Sequence, residues 1–212
     1  EALGRKKFLP YVQKTFELIA IAQQTELKCT SPQLEFIFEA FSKFCTILEE
    51  DFGPYVGTII HGVIAAASAE DFAYRFELDS SNNLSAQDQA KVDELHRRGF
   101  TSLSLGIRGQ GSHQVVLNAS VIQDKIQALE MLGEFALGLK KAFQPYIQQT
   151  TAIVSSQCTT ESNQAIRTAA VTTMPALLEC FSQQDGITPE MILEYFRKSI
   201  QSFNIEESIK RE

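Results

Sequence analysis

Any chemistry in this chain would have to come from its cysteines, histidines, serines and carboxylates, and their spacing assembles none. Cys29, Cys45, Cys158 and Cys180 stand singly within helical patterns, with no C-x-x-C pair among them. They read as small buried thiols of a reducing compartment. His61, His96 and His113 have no Cys or His partner at metal-ligand spacing, so no metal is expected. Ser155 and Ser156 carry no triad signature. Glu49 and Glu50 are neighbours on a helix and point apart, which is wrong for an acid–base pair. Gly109-Gln110-Gly111 lacks the third glycine and the following helix of a dinucleotide loop, and fits a tight turn better. The sequence therefore predicts no catalytic residue, no cofactor and no enzyme.

What remains is a binding protein, and composition narrows its class. With 44% hydrophobic residues in 212, the chain should fold rather than stay disordered. A net charge of −7 argues against non-specific nucleic-acid binding and suits basic partners. No apolar run approaches a membrane span, so no membrane partner is expected. Glu1-Ala2-Leu3-Gly4-Arg5 reads as the tail of a helix rather than a start or a signal peptide, which suggests a longer parent chain.

The elements follow a repeat. Phe8-Leu9-Pro10-Tyr11-Val12 returns as Phe52-Gly53-Pro54-Tyr55-Val56 and as Phe143-Gln144-Pro145-Tyr146-Ile147, with a weaker copy at Thr188-Pro189-Glu190-Met191-Ile192. The prolines of these four copies lie 44, 91 and 44 residues apart, so one interval holds a period plus an insertion. Each proline opens a helix, where its missing N–H costs nothing. After Pro10, Val12, Phe16, Ile19 and Ala20 face one side and Gln13, Lys14 and Glu17 the other; after Pro145 the apolar set is Ile147, Ile153, Val154 and Cys158. A helix also precedes each proline. The first spans about 32–52 with Phe36, Ile37, Ala40, Phe41, Phe44 and Leu48 as its apolar stripe. The second spans about 120–143 with Ile122, Ile126, Leu129, Leu132, Phe135, Ala136 and Leu139; the third spans about 162–183, where Pro175 should bend or break it. A two-helix unit of 44 residues matches a HEAT repeat. Such pairs must stack to bury their faces.

The fold class is thus all-α, a HEAT-repeat α-α superhelix (solenoid) with one long insertion containing a β-hairpin. The divisions are a second helix of a partial repeat at 1–27, a repeat at 31–76, the insertion at 77–118, repeats at 119–160 and 161–204, and the start of another at 205–212. Within the insertion, 78–83 is loop, 85–98 a short helix with Ser85 as its cap, and Thr101–Leu117 the hairpin. Leu103, Leu105 and Ile107 alternate with small polar residues, and together with Val115 and Leu117 should form the hairpin's buried face.

The run Leu117-Asn118-Ala119-Ser120-Val121-Ile122-Gln123-Asp124-Lys125 leads into Ala128-Leu129-Glu130-Met131-Leu132-Gly133, Leu139-Lys140 and Phe143-x-Pro145-Tyr146. Arg167-x-x-Ala170 and Met174-Pro175-Ala176-Leu177-Leu178-Glu179-Cys180 follow. This order resembles the karyopherin-beta (importin-beta) family, in particular its importin beta-3 branch. The resemblance implies a nuclear transport receptor working between cytoplasm and nucleus. It implies cargo proteins with basic signals, Ran GTPase and FG nucleoporins as partners, with no nucleic acid. One departure stands out: Asp93-Glu94-Leu95-His96-Arg97-Arg98-Gly99 is partly basic and the chain has no tryptophan, where relatives tend to carry a denser acidic tract with a Trp. The alternative is a HEAT-repeat scaffold or regulatory subunit that positions another enzyme.

Candidate protein-binding residues are the polar positions of the second helices, Gln13, Glu17, Gln148, Gln149, Glu194 and Gln201, and the insertion charges Lys91, Asp93, Glu94, Arg97 and Arg98. The repeated Phe-x-Pro-Tyr is assigned to turns and packing between repeats, and Lys125 and Arg167 to a polar ladder between them. Phe181 and Phe203 are assigned to packing rather than to a slot for FG peptides.

Overall fold

The computed structural model describes residues 4–26, 33–70, 73–79, 83–107, 111–158, 163–183, 188–190, 193–194 and 197. The chain divides into two compact units, one of Glu1–Ser68 with Asp124–Glu212 and the other of Ala69–Gln123.

The first unit is a stack of helix pairs. After a short α1 (Gly4–Phe8) and a 3₁₀ turn at Leu9–Tyr11 comes α2 (Val12–Glu26). The next pair is α3 (Gln33–Leu48) and α4 (Gly53–Ala67), joined by a 3₁₀ turn at Glu49–Phe52. Then follow α6 (Ala119–Leu139), a 3₁₀ turn at Lys140–Tyr146 and α7 (Ile147–Cys158), and finally α8 (Gln164–Ser182). The repeat is visible in burial. Val12, Val56 and Ile147 hold equivalent places after their prolines and are 3%, 3% and 1% exposed. Phe52 and Phe143, two residues before theirs, are wholly buried.

Packing between repeats is aromatic on one side and close on the other. Phe16 stacks on Phe41 at 6.0 Å and on Tyr55 at 4.5 Å, and Phe52 meets Phe135 at 5.6 Å. Between α6 and α8, Thr173 Oγ1 donates to the carbonyl of Leu129, one period earlier, at 3.0 Å. Gly133 permits that approach, because a Cβ there would sit 3.3 Å from Thr173 Cγ2. Between α3 and α6, Gly138 has the same role against Cys45. Lys125 is 1% exposed and partnered, in keeping with a structural rather than a ligand-facing place.

Two helix expectations need correction. Phe36 is 69% exposed, whereas Phe38 and Cys45 are buried with Phe41 and Leu48. With phenylalanine at 36, 38, 41 and 44, periodicity alone allows more than one stripe, and the neighbouring helices select the face that docks. Of the bend or break expected at Pro175, the break does not occur: helix α8 is continuous from Gln164 to Ser182. Proline removes one bond, to the carbonyl of Val171; Val171 is 47% exposed, so water can take that acceptor.

The second unit is a three-stranded antiparallel sheet with one helix. Strands β2 (Thr101–Ile107) and β3 (Gly111–Leu117) form the hairpin, with Leu103 opposite Val115. β1 (Ala73–Glu77) pairs with the other side of β3, so the sheet order is β1-β3-β2. That strand falls inside the stretch assigned to the repeat at 31–76, whose last helix, α4, ends at Ala67. Helix α5 (Ala86–Arg97) starts at Ser85, whose hydroxyl accepts from the Asp88 amide at 3.1 Å. Val92, Leu95, Phe100 and Val116 form a core of their own, flanked by Tyr74, Phe76 and Leu84. The buried sheet face is therefore the one carrying Val116 and Tyr74, which pair in register. Leu103, on the face expected to be buried, is 52% exposed.

Candidate protein-binding surfaces

Three surfaces carry the candidate side chains. The first is the polar side of the second helices. Gln13 and Glu17 lie exposed one turn apart on α2, where Gln13 Nε2 donates to Glu17 Oε1 at 3.2 Å and Lys14 pairs with Glu17 at 3.4 Å. Gln148 and Gln149 are exposed at the start of α7, and Glu194 is exposed. Gln201, Cys29 and Phe203 lie outside the described residues. The described residues of these rows are exposed to solvent and offer a face.

The second surface is a groove between consecutive first helices. A hollow of about 440 Å³ is bounded by Cys45, Glu49 and Glu50 at the end of α3 and by Glu134, Leu137 and Lys140 at the end of α6. A smaller one of about 160 Å³ continues along the same helices past Phe38, Glu130 and Met131, and Glu134 borders both. The Ser42 hydroxyl donates to Glu134, and the Cys45 thiol to the Glu134 carbonyl at 3.7 Å. Leu137 is 48% exposed at the rim. The groove thus offers apolar ground among carboxylates. Burial pushes the Cys45 thiol up to about 12, helped by the Glu134 charge, so it is no nucleophile. Burial likewise raises Cys158 and Cys180 to about 11.

The third surface belongs to the insertion. Lys91, Glu94, Leu95 and Arg98 fall on one face of α5 and its cap, at the spacing of successive turns. They border a groove of about 310 Å³ whose other wall is β1, with Tyr74, Arg75 and Phe76. The five insertion charges therefore divide. Lys91, Glu94 and Arg98 converge. Asp93 and Arg97 do not: Asp93 accepts from Gln89 at 2.9 Å and Arg97 Nε donates to the Asp93 carbonyl at 3.3 Å, on another side of the helix. The Arg98 guanidinium sits 5.7 Å from the ring centroid of Phe100, which holds it beside the groove. Arg75, Tyr74 and Phe76 are contributors that the sequence reading missed. Their signal was the alternation Ala73-Tyr74-Arg75-Phe76-Glu77, hidden by the apolar helix before it.

Among the described residues no group of three or more His, Cys, Asp or Glu could hold a metal ion, and no helix is long and apolar enough to cross a membrane. His96 Nε2 is instead 2.7 Å from Ser102 Oγ, tying α5 to β2.

No family profile matches the chain. It is 22% identical over 199 residues to importin subunit beta-3 of Saccharomyces cerevisiae, covering 93% of this chain and 17% of that protein. Solved structures of Kap121p are similar in fold. Kap121p bound to Pho4p superposes with a TM-score of 0.69 at 20% identity, over 94% of this chain and 17% of that one. Kap121p bound to RanGTP gives 0.68 at 21%, over 95% and 18%. The chain is thus a stretch of HEAT repeats similar along nearly its whole length to the karyopherin-beta family, importin beta-3 branch.

Proposed function

We propose that this chain serves protein–protein recognition within a nuclear transport receptor that moves cargo between cytoplasm and nucleus. Likeness across the whole repeat array to importin subunit beta-3 carries the proposal. Kap121p, of similar fold, has been solved with Pho4p and with RanGTP. By this reading, cargo with basic signals meets the second-helix rows that hold Gln13, Glu17, Gln148 and Gln149. Ran–GTP binds the same receptor, and FG nucleoporins take the groove between α3 and α6. Support for a phenylalanine ring there is Leu137, half exposed at the rim, in a groove that runs past the buried Phe38 and Met131. The rival reading, a HEAT scaffold that positions an enzyme, uses the same fold and differs in its partners.

The test is a titration of the chain with an FG-repeat peptide, repeated on Leu137→Glu. Leu137 is half exposed, so its substitution should leave the fold intact. Binding that weakens about tenfold in the variant is expected. Equal affinity in both, or no binding at all, would count against the groove. Failure of the protein that carries this chain to bind Ran–GTP as well would favour the scaffold.

A further inference from the structure

The insertion groove has a character opposite to that of the chain. The whole sequence carries −7, but this groove gathers Arg75, Lys91 and Arg98 against Glu94 alone. None of the three cations has a carboxylate within ion-pairing distance among the described residues. Unpaired like charges around one hollow repel each other and raise the local potential, which an anionic partner relieves. The floor between them is apolar and aromatic, from Tyr74, Phe76 and Leu95.

The groove also has a backbone component. β1 is an edge of the sheet, with β3 on one side and no strand on the other among the described residues. An edge strand presents N–H and C=O groups ready for another extended segment. An added strand would run along the groove, with alternate side chains directed to one face.

We propose that the groove between β1 and α5 binds an acidic extended segment of a partner protein, added to the sheet at β1. Its Asp or Glu side chains, directed to the α5 side of the sheet, meet Lys91 and Arg98 beside Tyr74 and Phe76, and the alternate apolar side chains lie on the opposite face, where Arg75 stands. Arg98 is the best placed of the cations, because its stack on Phe100 leaves less rotamer freedom to be lost on binding. This site shares no residue with the groove between α3 and α6 or with the second-helix rows, so the proposal does not depend on those assignments.

The probe is a fluorescein-labelled twelve-residue peptide of alternating Glu and Val, titrated against the 212-residue chain by anisotropy at low and high salt. A Gln/Val peptide and a Glu/Val peptide with alternate backbone N-methylation are the comparisons. The expected result is binding by the Glu/Val peptide at least tenfold tighter than by either comparison, weakening with salt. In the double variant Lys91→Glu, Arg98→Glu the affinity should fall at least tenfold, and in Arg97→Glu, on the same helix but outside the groove, it should persist. Circular dichroism of each variant checks that the fold is retained. Equal binding of the Gln/Val peptide, or equal loss in Arg97→Glu, would overturn the site. Competition by inorganic polyphosphate together with indifference to N-methylation would overturn strand addition in favour of a general anion site. An absence of binding by the Glu/Val peptide would overturn the proposal outright.

Discussion

Glu49 and Lys140, 91 residues apart in sequence, hold the same left-handed backbone at the same place in successive repeats, with φ of 49° and 48°. Each directly follows the last residue of a first helix, Leu48 or Leu139, and opens the 3₁₀ turn toward the next proline. Both border the groove between α3 and α6. The left-handed region turns the chain so that the second helix can fold back antiparallel, and residues other than glycine adopt it at a cost of about 1–2 kcal/mol.

Lys140→Gly should therefore stabilise the chain, since glycine relieves most of that strain and returns part of it as added freedom of the unfolded state. The expected gain is about 0.5–1 kcal/mol in urea unfolding. A loss of stability would mean that the lysine side chain contributes more than its backbone costs.

Phe135→Ala should be among the most damaging substitutions. Phe135 is wholly buried and its ring faces that of Phe52 in the neighbouring repeat. Removing a buried phenylalanine costs about 3–5 kcal/mol. A loss under about 1 kcal/mol in urea unfolding would show that the two repeats do not depend on this contact.

Gly138 on α6 leaves room for Cys45 of α3. A Cβ there would lie 2.7 Å from Cys45 Sγ, with the Cys45 backbone at 3.7 Å behind it. Gly138→Val should cost about 1–3 kcal/mol by overpacking. With Cys45→Ala, which removes that sulfur, the double variant should be more stable than the sum of the single losses by at least about 0.5 kcal/mol. Simple additivity would show that the helices separate rather than clash.

Burial holds Cys45 up at about 12 and Cys158 and Cys180 at about 11, against about 8.5 for a thiol in the unfolded chain. Between these values the folded state keeps protons that the unfolded state has released. The thiols therefore add stability that is present below about pH 8.5 and lost progressively as pH rises toward 11. Unfolding midpoints measured from pH 7 to 10 should fall, and Cys45→Ala should reduce that slope. Rapid labelling of all three thiols by iodoacetamide in the native chain at pH 8 would contradict their burial.

Much of this was legible in the residues. The repeated Phe-x-Pro-Tyr fixed the helix pairs, because proline at a helix start and a large apolar residue before it act locally. The alternation around Leu103 marked the hairpin, and Ser85 marked the start of α5. What escaped depended on distant partners. β1 is only five residues long and is a strand because β3 lies beside it, so Tyr74, Arg75 and Phe76 could not be joined to Lys91 and Arg98 beforehand. The buried sheet face was misassigned for the same reason: Leu103 and Val115 form the more hydrophobic side, but α5 and Phe100 cover Val116. Asp93 and Arg97 looked equivalent to Lys91 and Arg98 in a charged run, and only the path of α5 separated them.

The role proposed for this chain, as part of a nuclear transport receptor, requires that the receptor bind Ran in its GTP state. Isothermal titration of the protein that carries this chain, against Ran–GTP and Ran–GDP in parallel, tests it most directly. Preference for Ran–GTP by at least about tenfold is the predicted result, an ordinary size for coupling between a bound nucleotide and a distant surface. Equal affinity for the two forms, or binding of neither, would contradict the account.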